Sequence, residues 1–234
     1  MSVANGTIGQ AVSVVDSASP HQLAVTTVVV NRAVRRDLDR FVTVLAEPVT
    51  SVRRTALADH VGFMLDQLEA VHRLQDDALW PAVLKRRPHL TDLADRAAKA
   101  HAGLAGSTES AREAALTWKR APVTRTAART ALRDLAIAVE PVIGQDAETV
   151  PLACAMLPDD TLSHIDNAHP RPVGPTKVAR RLFWLLDDLP PAQAQQLLAP
   201  TPSWMLWVLR NGFSGAYNRA AYLMWIGGGN GPAA

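Results

Sequence analysis

The sequence predicts an all-α protein, and three observations carry that prediction. Apolar residues recur at spacings of three and four along four long segments. Prolines fall mostly between or near the ends of those segments. Nowhere is there a convincing period-two run bounded by turn residues; the one β-like phrase, "AVTTVVV", fits a helix equally well. The architecture expected is an up-down four-helix bundle over residues 21–157. A flexible arm, 1–20, precedes it, and a helical extension, 158–234, packs on it.

The first helix is expected over about 21–47, with Thr27, Asn31, Val34, Leu38, Phe41 and Leu45 on one face and Pro48 as its stop. The second covers about 50–86. Its inward face is Leu57, Val61, Met64, Leu68, Val71, Gln75 and Leu79, and the basic "KRRP" suits its C-terminal end. The third begins near "HLTDLADR", with Thr91 as a candidate cap. Its face runs through Leu93 or Ala94 to Ala97, His101 and Leu104, and it continues towards Trp118 although Gly103 and Gly106 weaken its middle. The fourth runs from Thr124 to about Met156, and Pro141 and Gly144 are expected to kink it or end its regular part. "HIDNAHPRPVGP" reads as a loop, and shorter helices follow it.

Composition narrows the function classes. Nearly half of the 234 residues are apolar (48%) and the net charge is only +2, which is globular and leaves ample material for a core. The pI of about 9.0 reflects an arginine-rich chain and does not by itself argue for nucleic acid, so no nucleic-acid partner is expected. A single cysteine, Cys154, excludes an internal disulfide framework and a multi-cysteine metal site. It is expected to be a small core residue. The first twenty residues lack a basic start and a continuous apolar stretch, and no run of eighteen apolar residues follows; a cytoplasmic protein without a transmembrane segment is expected.

The phrases "VVNRAVRRDLDRF" on helix one and "DDALWPAVLKRRP" on helix two, in this order of elements, resemble the hemerythrin-like (HHE cation-binding) family, in particular actinobacterial members with a helical tail. The resemblance implies a four-helix bundle around a non-haem di-iron centre, with His and carboxylate ligands from all four helices. Carried over position by position, the helix-one His falls on Asn31. The helix-two His and Glu fall on Val71 and Gln75, the helix-three His on His101, and the helix-four His and Glu on Pro141 and Gln145. Only His101 keeps a ligand side chain. Val and Pro offer no donor, and neutral amides bind hard cations far more weakly than carboxylate or imidazole does. A slip of one residue on helix four places Val142 and Asp146 there instead, restoring one carboxylate but no histidine.

The resemblance therefore implies a degenerate member without a di-iron site and without a cofactor, acting as a small-molecule-binding or regulatory protein. Its candidate ligand site is Asn31, Val71, Gln75, His101 and Gln145 in the bundle interior. Facing amides and an imidazole must be hydrogen-bonded to one another, to water or to a ligand. Two alternatives stand beside this. His72 and Asp76 are four apart on one helical face and, with His101 and conceivably His60, form a relocated metal site for non-haem iron that handles O2 or NO. Otherwise His101 acts as acid/base in a metal-free enzyme. The bland expectation for His72 is the flank of the core face, with Asp76 partly solvated, because successive helical residues turn by about 100°. His164, Asp166 and His169 are expected in a loop, and Glu140, Asp146 and Glu148 either cluster or line a solvated face. The aromatic C-terminal region, with Trp184, Trp204, Trp207, Phe213, Tyr217, Tyr222 and Trp225, is a candidate surface for a protein partner or a membrane interface. The competing expectation is that these aromatics pack across the open end of the bundle.

Overall fold

The computed structural model describes residues 21–168 and 174–226, so the expected arm and His169 lie outside the described residues. Among the described residues all regular structure is helical. Helix α1 (Gln22–Val44) starts where the His21 imidazole accepts a hydrogen bond from the Leu23 amide, and it stops short of Pro48. Helix α2 (Ser51–Leu74) is capped by the Thr50 hydroxyl, which accepts from the Arg53 amide.

The expected second helix is interrupted by a π-helical turn, Gln75–Leu79, before α3 (Trp80–Arg86) continues it. The Trp80 amide reaches back five residues to the Gln75 carbonyl. Pro81 follows directly and has no N–H to return to the preceding turn, so the change from five-residue back to four-residue bonding falls where no bond can be made. The inserted residue rotates everything after it relative to α2, and such turns frequently mark functional sites.

Helix α4 (Thr91–Arg120) runs unbroken through Gly103 and Gly106. Thr91 is its first residue and not its cap: the hydroxyl donates to the Pro88 carbonyl. Helix α5 (Arg125–Ala155) is also continuous, so its regular part does not end at Pro141 and Gly144. Pro141 lies on the exposed side, so the Ile137 carbonyl that loses its partner is on the solvent side, where water can satisfy it.

Four long helices close into a ring: α1 packs on α5 and α2, and α4 packs on α5 and α2. The interior holds two apolar clusters. One contains Val34, Leu38, Phe41, Leu57, Leu68, Val71, Leu104 and Val142. The other contains Leu74, Leu79, Trp80, Ala97, Val150 and Cys154. On α4, His101 falls between Ala97 of one cluster and Leu104 of the other; on α5, Asp146 falls between Val150 and Val142. A polar layer thus crosses the core between the two apolar clusters. Cys154 is buried as expected, and burial pushes its thiol up to about 12, which leaves it protonated and inert.

Helix α6 (Asp159–Ala168) packs against the π-turn and contains His164 and Asp166, so that segment is a helix and not a loop. Its apolar spacing, with Leu162 and Ile165 buried, outweighs the punctuation read from nearby prolines. Helices α7 (Pro175–Leu186), α8 (Pro191–Leu198), α9 (Ser203–Gly212) and α10 (Ser214–Trp225) follow among the described residues. Helices α7 and α8 pack on α1, and α10 on α2 and α7.

A second buried polar cluster fastens these helices to the ring. Asp37 is fully buried; its Oδ2 accepts from His60 Nε2 (2.6 Å) and from the Trp184 indole (2.7 Å), and its Oδ1 from Arg36 Nε (2.8 Å). Burial alone would push the Asp37 carboxyl up; these cationic and hydrogen-bonding neighbours outweigh it and hold it below the ordinary range. Arg53 donates to the Met224 carbonyl, and Trp225 sets its edge against Phe41 and His60. His60 therefore belongs to this latch and not to the relocated metal site for which it was a candidate. Twelve helical residues, about 18 Å, separate it from His72.

Candidate metal centre

The polar layer is built by one side chain or more from each long helix. Asp146 of α5 is its centre and is 1% exposed. Its Oδ2 accepts from the Asn31 amide of α1 (3.0 Å) and from the Gln75 amide of the π-turn (3.2 Å). Its Oδ1 faces His101 Nε2 of α4 at 3.4 Å. His101 Nδ1 donates to Asp76 Oδ1 at 2.8 Å. His72 of α2 stacks on His101, with ring centroids 4.1 Å apart and planes 9° from parallel, and its Nε2 lies 3.7 Å from Asp146 Oδ2.

The electrostatics sort these groups. Burial opposes charge on His101, but hydrogen bonds to Asp146 and Asp76 outweigh it and raise its pKa. The Asp146 carboxyl is pushed up by burial and pulled down more strongly by His101 and Asn31, so it is held ionised. His72 goes the other way. Burial, together with the neighbouring charge of His101, drives it down to about 4, against a weaker pull from Asp146. Near neutral pH His72 is therefore uncharged.

Three buried atoms of this layer have no hydrogen-bond partner: His72 Nε2, Asn31 Oδ1 and Gln75 Oε1. The two amide oxygens are electron-pair donors, and so is His72 Nε2 in the tautomer protonated on Nδ1. Ligand atoms of His72, His101 and Asp146 lie within 4.8 Å of one another. Ligands about 2.0–2.1 Å from a tetrahedral ion sit roughly 3.3 Å apart. The 3.4 and 3.7 Å separations from Asp146 are near that value, but the two rings are stacked nearly parallel, so one imidazole must turn out of the stack before both can direct in-plane lone pairs at one ion. Two imidazoles and one carboxylate are the donor set of a mononuclear transition-metal site. Asp76, on the far nitrogen of His101, has the place of the carboxylate that orients a metal-binding histidine.

Measured against this geometry, the sequence-predicted residues divide. Asn31, Gln75 and His101 meet as expected. Val71 is buried among apolar side chains beside them and supplies no polar atom. Gln145 does not join: it is only half-buried, and the next residue, Asp146, points inward. The one-residue slip describes α5 correctly, since Leu135, Val139, Val142, Asp146 and Val150 form one buried face while Pro141 is exposed. His72 is buried and turned towards the neighbouring helix, where it stacks on His101 and lines the cleft between α2 and α4, with Asp76 partly solvated as expected. Asp76 belongs to the group through His101 and not as a direct partner of His72. Glu140 and Glu148 are exposed, Glu140 pairing with Arg35, so no carboxylate cluster forms with Asp146.

A cleft of about 590 Å³ between α2 and α4 reaches the site. Leu68, His72, Asp76, Ala98, His101, Ala102 and Ala105 line it, and Glu69, Arg73 and Glu109 also border it. The alanines of α4 leave the space that larger side chains would fill.

Comparison of the chain with protein-family models, with curated proteins and with solved structures finds no match. The site itself has to carry the functional argument.

Proposed function

We propose that this chain is a hemerythrin-like, up-down four-helix bundle in which the dinuclear centre has given way to a site for one divalent transition-metal ion, held by His72, His101 and Asp146. The observation that carries this reading is the buried, unpartnered His72 Nε2, 3.7 Å from the Asp146 carboxylate and stacked on a second imidazole. A buried polar atom without a partner is costly, and an ion removes the cost. The residues do not fit a di-iron centre. The layer has one buried carboxylate, and Asn31, Val71 and Gln75 stand where further His and Glu ligands would be needed.

The chain's own residues have separable tasks in this reading. Asp76 fixes the ring of His101 so that Nε2 faces Asp146. Asn31 and Gln75 steer the Asp146 carboxylate. His72 stays neutral and ready to donate. The cleft between α2 and α4 admits a small molecule to the imidazoles. An ion bound here supplies a Lewis-acidic centre for that molecule.

One observation favours a second, metal-free reading. Both Asp146 oxygens already face donors from Asn31, Gln75 and His101, so the carboxylate is satisfied without an ion. The layer then fixes helix register, and His101 is the acid/base group presented to a ligand in the cleft. Calorimetric titration of chelator-treated protein with Zn²⁺ separates the two. One site per chain that is lost in His72→Ala supports the metal reading; no heat of binding supports the metal-free one.

A further inference from the structure

The C-terminal helices carry an independent feature. Trp204 and Trp207 lie one turn apart on α9 and are 67% and 68% exposed, with Val208 beside them. On α10, Tyr222 and Ile226, the residue that caps it, are also exposed. Only Leu209 of α9 is buried. Thus Trp184 and Trp225 pack inward, as expected for aromatics that close the end of the ring, but Trp204 and Trp207 do not. From Leu189 to the last residue, Ala234, the sequence contains no Asp, Glu or Lys; its only charged side chains are Arg210 and Arg219, both exposed in the structure.

We propose that α9 and α10 dock the protein on an anionic membrane surface. Exposed tryptophans with arginines and no acids are the composition of an interfacial helix: indole rings enter the headgroup boundary while guanidinium groups meet lipid phosphate. Helix α9 is about 15 Å long, half of the roughly 30 Å hydrocarbon thickness, and no described helix is long and apolar enough to cross a membrane. The helix therefore lies in the interface. A second copy of the chain is a poorer occupant. A two-fold contact through this face would bring four arginines together with no carboxylate from α9 or α10 to meet them.

The test uses the full chain in co-sedimentation with vesicles of phosphatidylcholine alone or with 30% phosphatidylglycerol. The expected result is binding to the anionic vesicles that weakens at least tenfold in Trp204→Ser/Trp207→Ser and, separately, in Arg210→Gln/Arg219→Gln or at high salt. These side chains are exposed, so the variants should retain wild-type circular dichroism. Failure to bind anionic vesicles would overturn the proposal, as would binding that survives the tryptophan changes or is equal on neutral lipid. A concentration-dependent dimer abolished by Trp204→Ser/Trp207→Ser, without vesicle binding, would assign the face to a second copy instead. None of these outcomes depends on the metal reading.

Discussion

His72 and His101 lie ring on ring, 4.1 Å apart and nearly parallel, yet burial and charge drive their proton affinities in opposite directions. Two stacked imidazoles cannot both be charged at little cost in a buried site. Asp146 and Asp76 decide which one is: both bond to His101, whereas His72 has no hydrogen-bond partner for its Nε2. The pair is therefore asymmetric: protonation is favoured on the hydrogen-bonded His101 and disfavoured on His72.

That asymmetry sets the pH profile of the metal-free protein. His72 has its pKa lowered on folding, from 6.5 to about 4, so the unfolded chain binds a proton that the folded one refuses. Stability falls as the pH drops through that window, by up to about 3 kcal/mol. Asp146 adds to the loss at the acid end, because its lowered pKa gives stability that disappears as it protonates. His101 acts oppositely. Its raised pKa gives stability that is complete below pH 6.5 and is lost as the pH rises through its folded value. Urea midpoints measured from pH 4 to 9 should show both limbs. His72→Gln should flatten the acid limb between 6.5 and 4, and His101→Gln the alkaline one. An unchanged acid limb in His72→Gln would contradict the assignment.

Metal binding should release protons. His101 must lose the proton on Nε2 before that atom can coordinate, whereas His72 is already neutral. Zn²⁺ affinity is expected to rise with pH until His101 is deprotonated and then level off. Titration in two buffers of different ionisation enthalpy should report about one proton released per ion. Zero release near pH 6 would show that His101 is not a ligand.

Asp76→Asn tests the orienting role separately from the ligands. The amide keeps the size of the side chain and removes its charge. Zn²⁺ affinity should fall about 10- to 100-fold while the thermal midpoint changes little, since the Asp76 side chain is 30% exposed. An affinity equal to wild type would reduce Asp76 to a surface partner of His101.

The Asp37 latch predicts a different phenotype. Asp37→Ala leaves His60, the Trp184 indole and Arg36 facing a void, which should cost about 3–5 kcal/mol. Trp184→Phe removes one donor and leaves Asp37 bonded to His60 and Arg36, so about 1–2 kcal/mol is expected for the lost hydrogen bond. Both are read from chemical denaturation. Because α7 is pinned to α1 by these bonds, limited proteolysis of Asp37→Ala should cut first in the C-terminal helices.

Much of this was legible in the sequence, and what was not has identifiable physical causes. The long helices follow from their three-and-four spacing, and Asn31, Gln75 and His101 from standing on those faces. Family spacing carried across Pro141 points to Gln145 and not to Asp146. The apolar phase of α5 itself, through Leu135, Val139 and Val142, selects Asp146. The grouping of Asp76 with His72 and His101 follows from helical spacing, but the π-turn at Gln75–Leu79 has no periodic signature, so the bond of Asp76 to the far nitrogen of His101 does not. Asp37 and His60 are far apart in the chain, and nothing local marks them as partners. The prolines near His164 and Asp166 suggest a loop, whereas two buried apolar residues three apart, Leu162 and Ile165, hold the segment as a helix.

The most direct test of the central claim is the stoichiometry and spectrum of Co²⁺ bound to chelator-treated protein at pH 7.5, alongside His72→Ala and Asp146→Asn. The account predicts one Co²⁺ per chain, with visible ligand-field bands of a low-coordinate nitrogen–oxygen site, and at least a hundredfold weaker binding in each variant. Absence of a bound ion, or binding and bands that persist unchanged in both variants, would contradict it.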